Sequence, residues 1–254
     1  MTLTHEPEFR VSVARSSEDL RAAQRLRYDV FVAELGGGGA LVDHDERLER
    51  DRFDPFFDHL ILFDDAAEGR VVGVYRMLQA DQAAAAGGYY SEDEYDLAPL
   101  KATGRRLLEL GRSCVHVDYR GGPAMYHLWN GLAGYVAEHG IDILFGVASF
   151  HGTDVDALAE PLSLLHHRHL APEVLRVTAR PPHAAAMDLI PEPEIDRRAA
   201  MLRMPALIKA YLRLGGVVGQ GAFVDHGFNT TDVCLVMDTG AMSDRQRRIY
   251  GVGA

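Results

Sequence analysis

The stretch LLELGRSCVHVDYRGGPAMYHLWNGL, Leu107 to Leu132, decides how this chain folds. Its first nine residues, Leu107 to Val115, read as an apolar strand, and a short turn containing Arg120-Gly121-Gly122-Pro123 follows. Met125, Leu128, Trp129, Leu132, Tyr135 and Val136 then recur at i, i+3, i+4 spacing as far as Gly140, which predicts a helix with one apolar face. Strand, glycine turn and helix in that order belong to an α/β protein. Charge at Glu109 and Arg112 interrupts the strand, and charge inside an apolar run is chemistry more often than architecture.

Upstream, Phe9 to Val13 alternates like a short strand. Ser16 or Ser17 followed by an acidic residue opens a helix with Leu20, Ala23, Leu26, Val30 and Phe31 on one face. Gly36 to Gly39 end it and predict a mobile loop through the charged run Asp43 to Asp58. HLILFDD (59–65), a turn at Glu68-Gly69-Arg70 and VVGVYRML (71–78) form an antiparallel hairpin on this reading. Ala83 to Gly88 is a loop or a short surface helix. Downstream, DILFGVAS (142–149) reads as a buried strand, Asp154 to His166 as a helix and Val174 to Ala179 as a strand. Pro181 to Pro193 reads as a surface loop, Asp196 to Leu214 as helical apart from Pro205, and TDVCLVMD (231–238) as a last strand before a basic tail, Arg245, Arg247 and Arg248. Hairpins mixed with βαβ crossovers imply a mixed sheet covered by helices, in one domain spanning residues 1–254.

At 47% apolar residues the chain can bury a core without disulfide or metal. Cys114 and Cys234 lie in apolar runs with no short spacing between them, so both are expected as buried thiols in a reducing compartment. The start, MTLTHEPEFR, lacks a basic and an apolar leader region, and no run approaches the ~18 apolar residues of a membrane span, so the expectation is a cytoplasmic protein. A net charge of −11 argues against non-specific nucleic-acid binding. The charge is uneven: residues 197–254 hold eight Lys/Arg against four Asp, leaving −15 on the rest, so an acidic partner suits that C-terminal part.

A glycine turn between strand and helix offers backbone N–H groups and a positive helix end, so Arg120, Gly121 and Gly122 either hold a phosphate or form a plain tight turn. Glu109 and Arg112 are three apart on a period-two strand, and a bulge at Gly111 would bring them together. They then serve as a proton-accepting carboxylate with an orienting arginine, or as a structural ion pair. Arg27, Asp51 and Asp54 form a second charged set, against the alternative of solvated loop charges. Arg76, inside an apolar strand, must meet a carboxylate of the protein or of a ligand. His166, His167 and His169 lack the geometry of a helical metal site, and no metal is expected.

Arg27 with Phe31, Asp51 with Asp54, Arg76, and Glu109 with Arg112 resemble the ordered charged signature of the acyl-homoserine-lactone synthases. This chain has Gly36 to Gly39 where those enzymes carry an aromatic residue. LRYDVFVAELG, FDHLIL, ELGRSCVHVDYRGGPAMYHLW, LFGVASFHGTD, MPALIKAYLRLGG and FVDHGFNTTDVCLVMD more closely resemble a sister family, the ornithine-lipid synthases (L-ornithine Nα-acyltransferases, hemolysin-like), over roughly residues 20–250. The resemblance implies the α/β fold of the Gcn5-related N-acetyltransferase (GNAT) superfamily. It also implies transfer of a 3-hydroxyacyl group from acyl carrier protein to the α-amine of ornithine, with the acyl-phosphopantetheine of the carrier as donor and no bound cofactor. Glu109 would be the base, and Arg27, Asp51, Asp54, Arg76 and Arg112 would bind substrate. The strand end at Val115 with Arg120, Gly121 and Gly122 would receive the phosphopantetheine. Because the product would be a lipid, the segment Met204 to Leu214 is a candidate for peripheral contact with the inner face of a membrane. The competing readings are an acyl-homoserine-lactone synthase using S-adenosylmethionine and a non-catalytic acyl-carrier-binding module.

Overall fold

The computed structural model describes residues 5–242, which fall into two compact units. The first takes the chain up to Gly87 together with Leu110–Gly140; the second takes Gly88–Glu109 and the described residues from Ile141 onward. The basic tail of Arg245, Arg247 and Arg248 lies outside the described residues.

In the first unit, β1 (Phe9–Val13), β2 (Asp58–Asp64) and β3 (Arg70–Gln79) pair antiparallel in that order. The predicted hairpin is therefore present, with a register shift between Leu62 and Phe63. Nearly every residue of β2 is buried, because helices cover both faces of this sheet, and such strands read as unbroken apolar runs. Helix α1 (Ser17–Arg27) lays Ala23 and Leu26, with Val30 beyond its end, on Ile61, Phe63, Val74 and Cys114. Its start is a reciprocal cap: Ser16 Oγ accepts from Asp19 N at 3.1 Å, and the Asp19 carboxylate accepts from Ser16 N. After Arg27 the chain widens into a π-helical segment, Tyr28–Glu34, where a regular α-helix was expected. Residues of α2 (Ala80–Ala86) follow β3 directly as the short helix anticipated in the alanine run. On the opposite face α4 (Ala124–His139) packs on β1 and β2. Gly131 permits that approach, since a Cβ there would lie 2.5 Å from Val11 Cγ1.

The second unit contains a small pair, β4 (Tyr95–Asp96) with β7 (Thr178–Ala179), and the short helix α3 (Ala98–Ala102). The central strand β5 (Leu107–Val115) contributes Leu107–Glu109 here, paired in parallel with β6 (Ile143–His151), and gives Leu110–Val115 to the first unit. Strand β6 pairs antiparallel with β11 (Thr230–Asp238) over its whole length, and β10 (Ala222–Asp225), β8 (Ala184–Ala185) and β9 (Val217–Val218) complete the sheet. Helices α5 (Ala159–His169), α6 (Arg197–Arg203) and α7 (Ala206–Arg213) flank it, the last two separated at Pro205 as predicted. Parallel and antiparallel pairings flanked by helices make the fold a mixed α/β one.

The strand expected over Val174–Ala179 is reduced to Thr178–Ala179. Glu173–Leu175 winds as a 3₁₀ turn after Pro172, and Leu175 N donates to Pro172 O. The charged run 43–58 is a packed segment: Leu48, Phe53 and Phe57 are buried, and Asp43 and Leu48 exchange backbone hydrogen bonds at 2.9 Å. No helix among the described residues is long and apolar enough to cross a membrane.

Candidate functional site

Five of the predicted site residues converge in the first unit. Asp54 Oδ1 accepts from Arg27 Nη1 and Arg76 Nη1, both at 2.7 Å, while its Oδ2 accepts from Gln24 Nε2 at 2.9 Å. Arg27 also donates to Glu49 at 2.5 Å, and Arg76 donates to Asp51 at 2.8 Å. The Arg112 guanidinium reaches Glu49 at 3.2 Å and Asp51 at 3.5 Å. Three arginines thus meet three carboxylates, and the cluster is neutral by count. Buried charges persist only when matched in this way.

Burial grades the cluster. Arg27, Glu49, Asp54 and Arg76 are closed off, whereas the side chains of Arg112 and Asp51 keep 12% and 19% of their exposure. The only members with a surface to offer a ligand are therefore Arg112 and Asp51. Arg112 sits at φ +48°, a left-handed backbone conformation that costs a non-glycine residue about 1–2 kcal/mol. The backbone of β5 is left-handed at Arg112 rather than Gly111, and the guanidinium meets Glu49 and Asp51. Electrostatics follow geometry. Burial alone raises the Asp54 carboxyl, but Arg27 and Arg76 outweigh it and hold it well below the usual carboxylate range. Glu49 and Asp51 are lowered against the same desolvation, Glu49 by Arg112 and Arg27, Asp51 by Arg76 and Arg112. Next to them His59, whose Nε2 faces Asp54 O at 3.2 Å, is pushed down to about 4 by burial and by Arg27, so it is neutral at pH 7.

Glu109 belongs to the second unit and is 1% exposed. Its carboxylate accepts from Tyr90 N at 2.8 Å, Ser91 N at 2.6 Å and Ser91 Oγ at 2.5 Å. Three of roughly four lone-pair directions are thereby taken. In this geometry the carboxylate anchors the 90–91 turn.

The Arg120-Gly121-Gly122 turn lies at the entry to α4. Arg120 Nε donates to Val115 O at 2.8 Å, and the guanidinium forks onto Glu34 at 2.5 and 2.7 Å. Arg120 is thus tied to the Val115 backbone carbonyl, which closes the turn. Gly121 holds φ +76° with open space around its Cα, so the conformation is what requires glycine there. The first N–H groups of the sixteen-residue α4 begin one residue past this turn.

Sequence reasoning missed Glu49, Gln24 and His59 in the cluster, Ser91 beside Glu109 and Glu34 beside Arg120. It also passed over three carboxylates of the second unit, Glu94, Asp225 and Asp232, whose oxygens lie within 4.8 Å of one another.

Comparison with known proteins places these groups in context. The family model for the acetyltransferase (GNAT) domain matches residues 26–130, a span that takes in Arg27, Asp51, Asp54, Arg76, Glu109, Arg112 and the glycine turn. The L-ornithine N(alpha)-acyltransferase of Rhodobacter capsulatus is 61% identical over 246 residues, covering 95% of this chain and 94% of that protein. The chain belongs to the L-ornithine Nα-acyltransferase family. The Brucella abortus member is 42% identical over 96% of this chain and 89% of its own length. The Rhizobium meliloti member is 40% identical over 95% and 84%. Among solved structures, the acyl-homoserine-lactone synthase LasI has a TM-score of 0.52 at 17% identity, covering 97% of this chain and 96% of that one. BjaI, a CoA-dependent acyl-homoserine-lactone synthase, has a TM-score of 0.51 at 15% identity, covering 94% and 85%. These likenesses bear on the fold alone. Family and fold together make the chain an N-acyltransferase of GNAT type, as the charged signature implied.

Proposed function

We propose that the chain transfers a 3-hydroxyacyl group from the phosphopantetheine thioester of acyl carrier protein to the α-amine of ornithine, releasing lyso-ornithine lipid. The observation that carries this reading is the 61% identity over nearly the full length of the L-ornithine N(alpha)-acyltransferase of Rhodobacter capsulatus. In the reaction the α-ammonium gives one proton to a base and the amine nitrogen attacks the thioester carbonyl. The C–S bond breaks, and the departing thiolate takes a second proton from nitrogen to leave as the carrier thiol. An amino-acid amine is mostly protonated at pH 7, so a base is needed.

The burial gradient of the cluster suggests the division of labour. Arg112 takes the ornithine carboxylate and Asp51 its side-chain ammonium, each exchanging a 3.5 Å contact with the other for one with the zwitterion. Arg27, Asp54, Arg76 and Glu49 set the positions of those two side chains from behind. Glu109 is the proposed base, acting through its hydrogen-bonded turn. The turn at Arg120, Gly121 and Gly122, at the N-terminus of α4, is the proposed seat of the pantetheine phosphate, which would compete with Glu34 for the Arg120 guanidinium.

The test is incubation of the protein with 3-hydroxyacyl carrier protein and, separately, ornithine, lysine, glutamine and S-adenosylmethionine, with products read by mass. An Nα-acylated ornithine is the expected product. A homoserine lactone from S-adenosylmethionine would make the chain a signal synthase, and carrier binding with no product would make it a binding module; either result overturns the proposal.

A further inference from the structure

Helix α6 carries its apolar side chains on two opposite faces. Ala200 is fully buried, as is Met204 just beyond the helix, where α6 packs on α5. Leu202, 75% exposed, and Met201, 39% exposed, point the other way. Around them stand Arg197 and Arg198, four residues before Met201 and Leu202 and so on the same helical face, with Arg203 following. All three arginines are exposed, and among the described residues no carboxylate pairs with them. Lys209 adds a fourth cation, because its Nζ donates to Met201 O at 3.3 Å and so sits at the last turn of α6. Of the neighbouring acids, the Asp196 carboxylate caps α6, accepting from Arg198 N and Ala199 N, Glu192 pairs with Arg168, and Glu194 is exposed three residues before Arg197. In a chain of net charge −11, residues 197–213 contain no acid at all.

We propose that this face of α6 docks on an anionic lipid bilayer, with Leu202 and Met201 inserted at the headgroup boundary and Arg197, Arg198, Arg203 and Lys209 on the phosphates. The segment Met204 to Leu214, which the sequence marked for membrane contact, turns its apolar stripe inward: Met204, Ile208, Tyr211 and Leu214 are all buried. The surface therefore lies one helix earlier. A lipid surface fits it better than a protein partner, because two apolar tips on a seven-residue helix fall far short of the ~800 Å² per partner that a stable protein interface buries. A bilayer asks only for apolar tips ringed by cations. This docking goes beyond the acyl-transfer reading and does not depend on it.

The experiment is co-sedimentation of the full chain with vesicles of phosphatidylcholine, with and without phosphatidylglycerol, at low and high salt. Two variants accompany it, Arg197→Gln/Arg198→Gln/Arg203→Gln and Met201→Gln/Leu202→Gln, all at exposed positions, each checked for an unchanged melting temperature. The wild type should bind only the anionic vesicles, and salt should weaken it. Each arginine near such a surface multiplies binding about fivefold, so the triple variant should lose roughly a hundredfold. Removing the two apolar tips should cost about tenfold or more on the same vesicles. Equal binding to neutral vesicles, or full retention by either variant, overturns the proposal. So does a change confined to self-association or to affinity for acyl carrier protein, which would make the face a protein contact.

Discussion

Glu109→Gln separates a base from an anchor. In the native protein the charged carboxylate receives Tyr90 N on one oxygen, and Ser91 N and Ser91 Oγ on the other. Glutamine keeps a single acceptor oxygen. With that oxygen facing Ser91, the amide –NH₂ confronts Tyr90 N–H, and a buried donor without an acceptor costs about 1–3 kcal/mol. The two surviving bonds fall from charge-assisted to neutral strength, a further loss of about 1 kcal/mol each. The total, about 3–5 kcal/mol, should lower the melting temperature of a chain this size by roughly 10 °C. Ser91→Ala, which removes one donor and leaves the charge, should cost far less. Calorimetry of the three proteins measures the anchor, and single-turnover acyl transfer from 3-hydroxyacyl carrier protein to ornithine, followed against pH, measures the base. A catalytic carboxylate predicts a loss of ~10²–10⁴ in kcat together with loss of the acidic limb of the profile. A melting temperature within a degree or so of the native value would refute the account of Glu109 as the pivot of the 90–91 turn. Native kcat at a temperature where the variant is folded would remove it as base.

Asp54→Asn leaves Arg27 and Arg76 buried around a neutral amide, and breaking a buried pair from one side costs about 3–5 kcal/mol; urea unfolding at pH 7 should show it, whereas Asp51→Asn at the rim should cost much less. His59, surrounded by Asp54, Arg27 and Arg76, has a folded pKa of about 4 against 6.5 unfolded, so below pH 6.5 the unfolded chain binds the extra proton and stability falls. Between pH 7 and pH 5 that loss is about 2 kcal/mol, and His59→Gln should flatten this part of the profile in paired urea titrations. Below that range the lowered carboxyls of Glu49, Asp51 and Asp54 add their own loss, since their stabilisation is present above the unfolded pKa and disappears as pH falls through the folded one. Glu34→Gln should release the Arg120 guanidinium and lower KM for the carrier-bound donor several-fold with kcat unchanged; an unchanged or raised KM would move the phosphate away from this turn.

Much of the fold was legible because its central strands are buried on both faces and its longest helix is amphipathic. The hairpin 58–79, β5, α4 and β6 all appear within a residue or two of their reading. What escaped was held by tertiary contact. Val174, Leu175 and Val177 look like strand residues, yet the turn after Pro172 consumes the first two, and Val177 O instead accepts from Gln220 N. Strand β10 is four residues beside Gly221, too short to show a period. Ser91 meets Glu109 across 18 positions, and no local pattern announces such a pair.

Glu49 is different, because a signal for it existed. Arg76 was read as lying where a free guanidinium is costly, Arg27 as one charged set with Asp51 and Asp54, and Arg112 as the partner of Glu109. In the first unit Asp51 and Asp54 alone cannot neutralise the three arginines, and Glu49 is the third acid. The apolar residues Leu48, Phe53 and Phe57, spaced through the charged run, marked that segment as packed and Glu49 as the acid drawn inward with it. The same count constrains the chemistry. A neutral, closed quartet of Arg27, Glu49, Asp54 and Arg76 has no charge to spare for an amino acid, and exposing it to one would cost more than the contact returns. In the proposed reaction, recognition of the zwitterion then falls to the rim pair, Asp51 and Arg112, whose side chains keep 19% and 12% exposure. The left-handed backbone at Arg112 holds the exchangeable cation there, and the buried ions behind it fix its geometry.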